Sequence, residues 1–260
     1  MGSALPADRM RPRARSKDTR LTVPVPRRSV VICCLPRTGS SLLGHRLYAA
    51  GATGWPGEWL WREDVDRNWK AWGVSSWREY LDRVLEAGMG PNGVFCTKLM
   101  WGYLHDALYE LRRLSRMYDE DDLAVLSSFF PEPSFVWVRR EDVVAQAVSW
   151  AKAVQTGQWA SFQTVQAEPA FDSDQIDGLY HLARVHDAAW ARWFAAHDVD
   201  PLRVVYEELA SDPEGVVEDV IERLGLEPSP VEGRAPMEPA RQADAVNLDW
   251  AARYRRLAGL

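Results

Sequence analysis

The run Arg37-Thr38-Gly39-Ser40-Ser41 has the residue types of a phosphate cradle, and its surroundings support that use. Val30-Val31-Ile32-Cys33-Cys34-Leu35 before it is an apolar run of strand length, and Leu42-Leu43 after it opens a stretch of helical character. A strand, a tight turn and a helix present backbone N–H groups and the positive end of the helix to an anion. Aligned on Gly39, the pattern G-x-x-x-x-G-K-[ST] of ATP-binding loops would require glycine at Cys34 and lysine at Ser40. Neither is present. Arg37 is the cation of this loop, and its planar fork suits phosphate oxygens. The loop can hold a phosphate without the lysine that manages a transferring γ-phosphoryl group.

A second anion point is written in Phe135-Val136-Trp137-Val138-Arg139-Arg140, where a strand ends on paired arginines. The helix that begins near Asp142 carries Ser149 about two turns on. Two guanidiniums could neutralise a dianionic phosphate, and the hydroxyl could add a further donor. Two such points on one sheet call for a nucleotide phosphorylated at two places.

Strand-like runs at residues 29–35, 93–100, 134–138 and 202–206 must position these groups. Helical patterns separate them. Leu179, Leu182, Ala183, His186, Trp190, Trp193, Phe194 and His197 share one face at a 3.6 period. Another helix opens at Ser211-Asp212-Pro213-Glu214, with a cap, an early proline and an acid, and stops at Gly225. The pattern predicts an α/β fold: a P-loop-like parallel sheet flanked by helices on both faces. In such sheets ligands bind beyond the carboxyl ends of the strands. That rule gathers the Arg37 loop, Lys98, Arg139, Arg140 and Tyr206 on one rim.

A chain of 260 residues with net charge −6 suits one substantial core and argues against a general nucleic-acid binder. Residues 9–28 nevertheless carry eight arginines and lysines, so residues 1–28 read as a basic, disordered, solvated leader before a single domain over 29–260. No stretch reaches the ~18 apolar residues of a membrane span, and Pro36-Arg37 and His45-Arg46 interrupt any signal peptide; a cytoplasmic protein is expected. Cys33, Cys34 and Cys96 make neither a disulfide framework nor a metal spacing. His45, His105, His181, His186 and His197 form no ligand motif, so no metal is expected.

Residues 52–78 hold six of the 13 tryptophans: Trp55, Trp59, Trp61, Trp69, Trp72 and Trp77. Outside a clean period, they read either as a pocket wall for ringed ligands or as anchors tying an irregular excursion to the core.

PRTGSS after a strand, RREDVVAQAVS with the following AVQTGQW, and VVYEEL together resemble the PAPS-dependent sulfotransferases, most closely their bacterial trehalose 2-sulfotransferase-like branch. The resemblance runs from about residue 29 to 255 and includes a final stretch, Arg241-Gln242-Ala243-Asp244 … Trp250-Ala251-Ala252-Arg253-Tyr254. It implies that Arg37, Thr38, Gly39, Ser40 and Ser41 bind the 5′-phosphate end of PAPS. Arg140, with Arg139, and Ser149 would hold the 3′-phosphate, and Tyr206 would stand near the adenine. The family's base is the glutamate of a G-x-P-x-E segment, here Gly54-Trp55-Pro56-Gly57-Glu58, so Glu58 inherits that role. Lys98 matches a basic position near the transferred group. Trp55, Trp59, Trp61 and Gln158 would line the acceptor, a carbohydrate or a natural product carrying sugars. A homodimer is implied as well. The indole-rich run around Glu58 departs from the family's acceptor segment.

These residues suit in-line sulfuryl transfer, in which positioning and charge stabilisation dominate and the acceptor hydroxyl must lose a proton to a nearby carboxylate. Two other readings fit parts of the pattern. A P-loop nucleotide kinase would need the Gly-Lys-[ST] loop end and an acidic magnesium ligand, neither of which is evident. A non-catalytic nucleotide- or glycan-binding module need not retain Glu58 together with Arg37, Arg140 and Ser149.

Overall fold

The computed structural model describes residues 25–160, 163–229 and 245–260. Most of the expected basic leader, and Arg241 to Asp244 of the final stretch, lie outside them. In chain order the elements are β1 (Arg28–Cys34), α1 (Ser40–Ala49), α2 (Arg62–Trp72), α3 (Trp77–Gly88), β2 (Val94–Met100), α4 (Trp101–Ser115) and α5 (Asp122–Phe129). There follow β3 (Pro133–Arg139), α6 (Val143–Thr156), α7 (Ser173–Ala196), β4 (Leu202–Val205), α8 (Tyr206–Ser211), α9 (Pro213–Arg223) and α10 (Ala245–Ala258).

The strands form one parallel sheet in the order β2-β1-β3-β4. Burial on both faces explains their continuous apolar runs. On one face Val31, Cys33, Phe95, Leu99, Phe135 and Trp137 pack with residues of α3, α4, α5 and α7. On the other, Val30, Ile32, Cys34, Val136 and Val138 pack with α1 and α9. Helices α6, α7 and α10 share a third cluster around Val148, Ile176 and Trp250. The chain leaves β1 for β2 on one side and returns to β3 on the other. The carboxyl end of β1 is therefore the point where a parallel sheet opens a crevice, and the Arg37 loop occupies it.

The expected α9 is capped by Asp212, whose Oδ1 accepts from the Gly215 amide (3.0 Å). The strand expected to end at Tyr206 ends at Val205, and Tyr206 begins α8. Among the described residues no helix is long and apolar enough to cross a membrane, and no group of His, Cys, Asp or Glu is placed to hold a metal ion.

Candidate active site

The loop after β1 is held in a costly shape. Arg37 has φ +66° and Gly39 φ +82°, both left-handed; for a residue with a side chain that costs about 1–2 kcal/mol. The surroundings fix it by hydrogen bonds. Thr38 Oγ1 donates to the Leu35 carbonyl (2.9 Å), Gln146 Nε2 to the Pro36 carbonyl (2.9 Å) and Arg140 Nη1 to the Arg37 carbonyl (3.2 Å). A side chain at Gly39 would also meet the Tyr206 ring, whose Cδ2 lies 2.6 Å from the Cβ position. Helix α1 starts on Gly39 with no side-chain cap and no acid in its first turn, so its leading N–H groups keep the positive character that favours an anion.

Arg37 does not point where the sequence suggested. Its Nε donates to Ser149 Oγ (2.9 Å) and its Nη1 to the Trp159 carbonyl (2.6 Å). The guanidinium of the first expected anion point thus sits against the hydroxyl of the second. Burial, then the neighbouring Arg140, push the Arg37 guanidinium down to about 10, so it stays charged at neutral pH. Arg140 lies over the Tyr206 ring, 4.3 Å from its centroid. Glu207 ties this corner together by accepting from the amides of Glu141 (3.1 Å) and Asp142 (3.2 Å).

Glu58 is brought in by backbone pairing rather than by a regular element. The segment before it lies along the free edge of β2: the Gly54 amide donates to the Val94 carbonyl (3.0 Å), and the Lys98 amide to the Gly57 carbonyl (2.9 Å). The bridge between Gly57 and Thr97 sets Glu58 beside Lys98. Lys98 Nζ donates to Glu58 Oε1 (2.9 Å) and to Ser41 Oγ (3.0 Å). Lys98 is 1% exposed and Glu58 8%. Burial works against the lysine's charge, but Glu58 and the other groups around it together outweigh burial and hold the amine above its ordinary value. One ammonium therefore links the carboxylate to the loop after β1.

A cavity of about 540 Å³ receives these groups, with Arg37, Gly39, Ser40, Ser41, Arg140 and Ser149 on its wall. Tyr206, Glu58 and Trp61 line it too. Other expected site residues lie elsewhere. Arg139 turns away, forking onto the Asp187 carboxylate (Nε to Oδ1 3.0 Å) and lying 4.5 Å over the Trp137 ring. Thr38 is buried and spends its hydroxyl within the loop. Gln158 bonds the Gln163 carbonyl (2.8 Å) outside the cavity wall.

Trp55 and Trp59 are core anchors, not cavity wall: Trp55 stacks on His45, and Trp59 Nε1 donates to the Cys96 carbonyl (3.1 Å). Trp69, Trp72 and Trp77 gather around Tyr80. Of the six clustered indoles, Trp61 alone reaches the cavity. Sequence reasoning missed Gln146, Glu207 and the Trp159 carbonyl as supports, although all three residues fall inside the motifs singled out above. It also missed Met100, Gly102, Tyr103 and Trp150 on the cavity wall.

Residues 29–257 match the family model described as Stf0 sulphotransferase. The chain is 30% identical over 261 residues to trehalose 2-sulfotransferase of Mycobacterium tuberculosis (strain Erdman), covering 88% of this chain and 94% of that one. It is 32% identical over 188 residues to trehalose 2-sulfotransferase of Mycolicibacterium smegmatis, covering 69% of this chain and 66% of the relative. Among solved structures it is similar to the sulfotransferase domain of the Synechococcus PCC 7002 olefin synthase, with a TM-score of 0.42, 17% identity and 88% of each chain covered. A sulfotransferase from M. tuberculosis H37Rv overlays with a TM-score of 0.41 and 19% identity, over 90% of this chain and 77% of that one. With a family match over residues 29–257, the chain belongs to the Stf0 sulphotransferase family.

Proposed function

We propose that the protein transfers the sulfuryl group of PAPS to a hydroxyl of a carbohydrate or a sugar-bearing natural product, releasing PAP, by in-line displacement with Glu58 as general base. The observation that carries this reading is the Glu58–Lys98–Ser41 chain opening on the same cavity as Arg37, Arg140 and Ser149. A carboxylate for the attacking hydroxyl and the Ser41 hydroxyl of the loop proposed for the departing phosphate then stand at the two ends of one ammonium. The donor set fits the nucleotide: an uncapped helix start with Ser40 and Ser41 for one phosphate, and Arg37, Arg140 and Ser149 for the other. The Tyr206 ring lies beside the second group, where a base could stack.

In the reaction the acceptor oxygen forms a bond to sulfur while the bond from sulfur to the 5′-phosphate oxygen breaks. Glu58 takes the acceptor proton. Charge grows on the leaving phosphate, where Lys98, Ser41 and the α1 amides can meet it; donors of this kind contribute about 3–4 kcal/mol each in preorganised sites. The trehalose 2-sulfotransferases among the relatives favour a sugar hydroxyl as acceptor. The resemblance also supports a homodimer.

Titration with PAP in a calorimeter and incubation with labelled PAPS and trehalose or a cell extract test the reading. Saturable PAP binding and a labelled, sulfated product are expected. No heat of PAP association, or PAP binding without any sulfated product, would overturn it, the latter in favour of a binding module.

A further inference from the structure

Gly102 is a glycine without a backbone reason. It stands in the first turn of α4, where its φ lies outside the left-handed region and alanine would be the better helix former. Packing does not require it either. A side chain at Gly44 in α1 would strike Pro56, whose nearest atom lies 2.7 Å from the Cβ position. At Gly102 an added Cβ would meet only His186 Cε1, at an ordinary 3.6 Å. What the missing side chain leaves open is the cavity that Glu58 lines.

Much of the cavity wall shared with Gly102 is apolar. Trp61, Met100, Trp150 and Leu182 lie on it, and Leu182 is a large hydrophobe left 38% exposed. Two of the polar groups on this wall are already engaged: Tyr103 donates its hydroxyl to the Lys98 carbonyl (3.0 Å), and Asn247 Oδ1 accepts from Lys152 (3.1 Å). A free disaccharide would bring a full set of hydroxyls to a surface that can pair few of them, and unpaired buried polar groups are unfavourable.

We propose that the acceptor presents its hydroxyl to Glu58 from an apolar, ring-bearing frame, and that this frame lies across Gly102 between Trp61 and His186. The inference rests on the sulfuryl-transfer reading and narrows its acceptor to amphiphilic alcohols, such as glycosides with an apolar aglycone.

The test uses the full-length protein saturated with PAP and titrated calorimetrically with methyl glucoside, 4-nitrophenyl glucoside and trehalose. The aryl glucoside is expected to bind at least about tenfold more tightly than the methyl glucoside, which is about 1.4 kcal/mol. In Gly102→Val that preference should fall at least fivefold, with PAP affinity unchanged and a melting temperature no lower than that of Gly102→Ala by more than a few degrees. Equal binding of the two glucosides, tighter binding of trehalose than of the aryl glucoside, or no binding of any probe to the PAP complex overturns the inference. An aryl preference that survives Gly102→Val overturns the role of Gly102. Failure of PAP itself to bind strikes the nucleotide reading instead, so the two failures are distinguishable.

Discussion

Replacing Glu58 by glutamine removes one charge from a pair whose partner is 1% exposed, and its consequences can be worked from the geometry. At the 2.9 Å separation of Lys98 Nζ and Glu58 Oε1, the gross attraction at an effective dielectric of ~20 is about 6 kcal/mol. Breaking a buried pair by removing one partner costs about 3–5 kcal/mol. Glutamine can still accept the lysine's hydrogen bond, so the lower end applies, about 3 kcal/mol, or a fall in melting temperature of roughly 6–12 °C for a chain of this size.

Turnover should drop by a factor on the order of 10² or more, the usual worth of a positioned general base. PAP affinity should stay near that of the parent, because the Arg37, Arg140 and Ser149 contacts do not involve Glu58 and glutamine can still accept from Lys98, keeping the ammonium on Ser41. Glu58→Asp serves as the control: it keeps the charge on Lys98 and withdraws the oxygen, so it should retain most of the stability while still losing turnover. Product formation from labelled PAPS, PAP calorimetry and thermal melts read the three quantities. Turnover in Glu58→Gln equal to the parent's refutes the base assignment. A loss of PAP affinity as large as the loss of turnover would instead make the carboxylate a support for the loop.

Further expectations concern the surrounding groups. Arg140→Ala should weaken PAP binding at least tenfold by calorimetry, whereas Arg139→Ala should leave it unchanged, because Arg139 is committed to Asp187; matching losses in both would contradict the separation of the two side chains. Gly39→Ala should lower stability by about 1–2 kcal/mol in urea melts and weaken PAP binding, since the residue has φ +82° and its Cβ would press on Tyr206; a neutral effect would show that the loop tolerates relaxation. Burial raises the Asp64 carboxyl from 3.8 to about 6. The folded state therefore holds this proton more tightly than the unfolded chain. Its contribution is full below pH 4 and is lost as pH rises through 6, by up to ~3 kcal/mol. Asp64→Asn should lose less stability than the parent between pH 4 and pH 7 in urea melts, and identical losses would refute the shift.

The sheet was legible because parallel strands buried on both faces read as uninterrupted apolar runs. All four expected runs became strands, with ends shifted by a residue or so. Direction was harder to read. Arg139 and Arg140 are adjacent, yet alternation along β3 separates them: Phe135, Trp137 and Arg139 share one face, where Arg139 lies on Trp137. Val136 and Val138 share the other, and Arg140 continues toward the loop. Period-two reasoning could have separated the pair before any coordinates. Nothing comparable could have sorted the indoles. Whether Trp55 and Trp59 face a ligand or the core depends on Gly57 pairing with Thr97 at the edge of β2, a contact across 40 residues that leaves no local pattern.

The same non-locality explains how a loop without the ATPase lysine can still suit a phosphate. In the ATP-binding pattern the cation follows the glycine directly; here Ser40 stands there, and the ammonium arrives from β2 through Lys98, hydrogen-bonded to Ser41. That lysine is held by the carboxylate proposed as base, so the loop's charge and the acceptor's base depend on one another. Arg37 and Arg140, meanwhile, bring two guanidiniums to one corner, where burial and mutual repulsion already depress Arg37. Two like charges gathered at that expense favour a dianion between them. A donor with a phosphate at each end would meet both requirements at once: one end would relieve the arginines, while the other would lie at the start of α1 beside the Ser41 hydroxyl that Lys98 reaches.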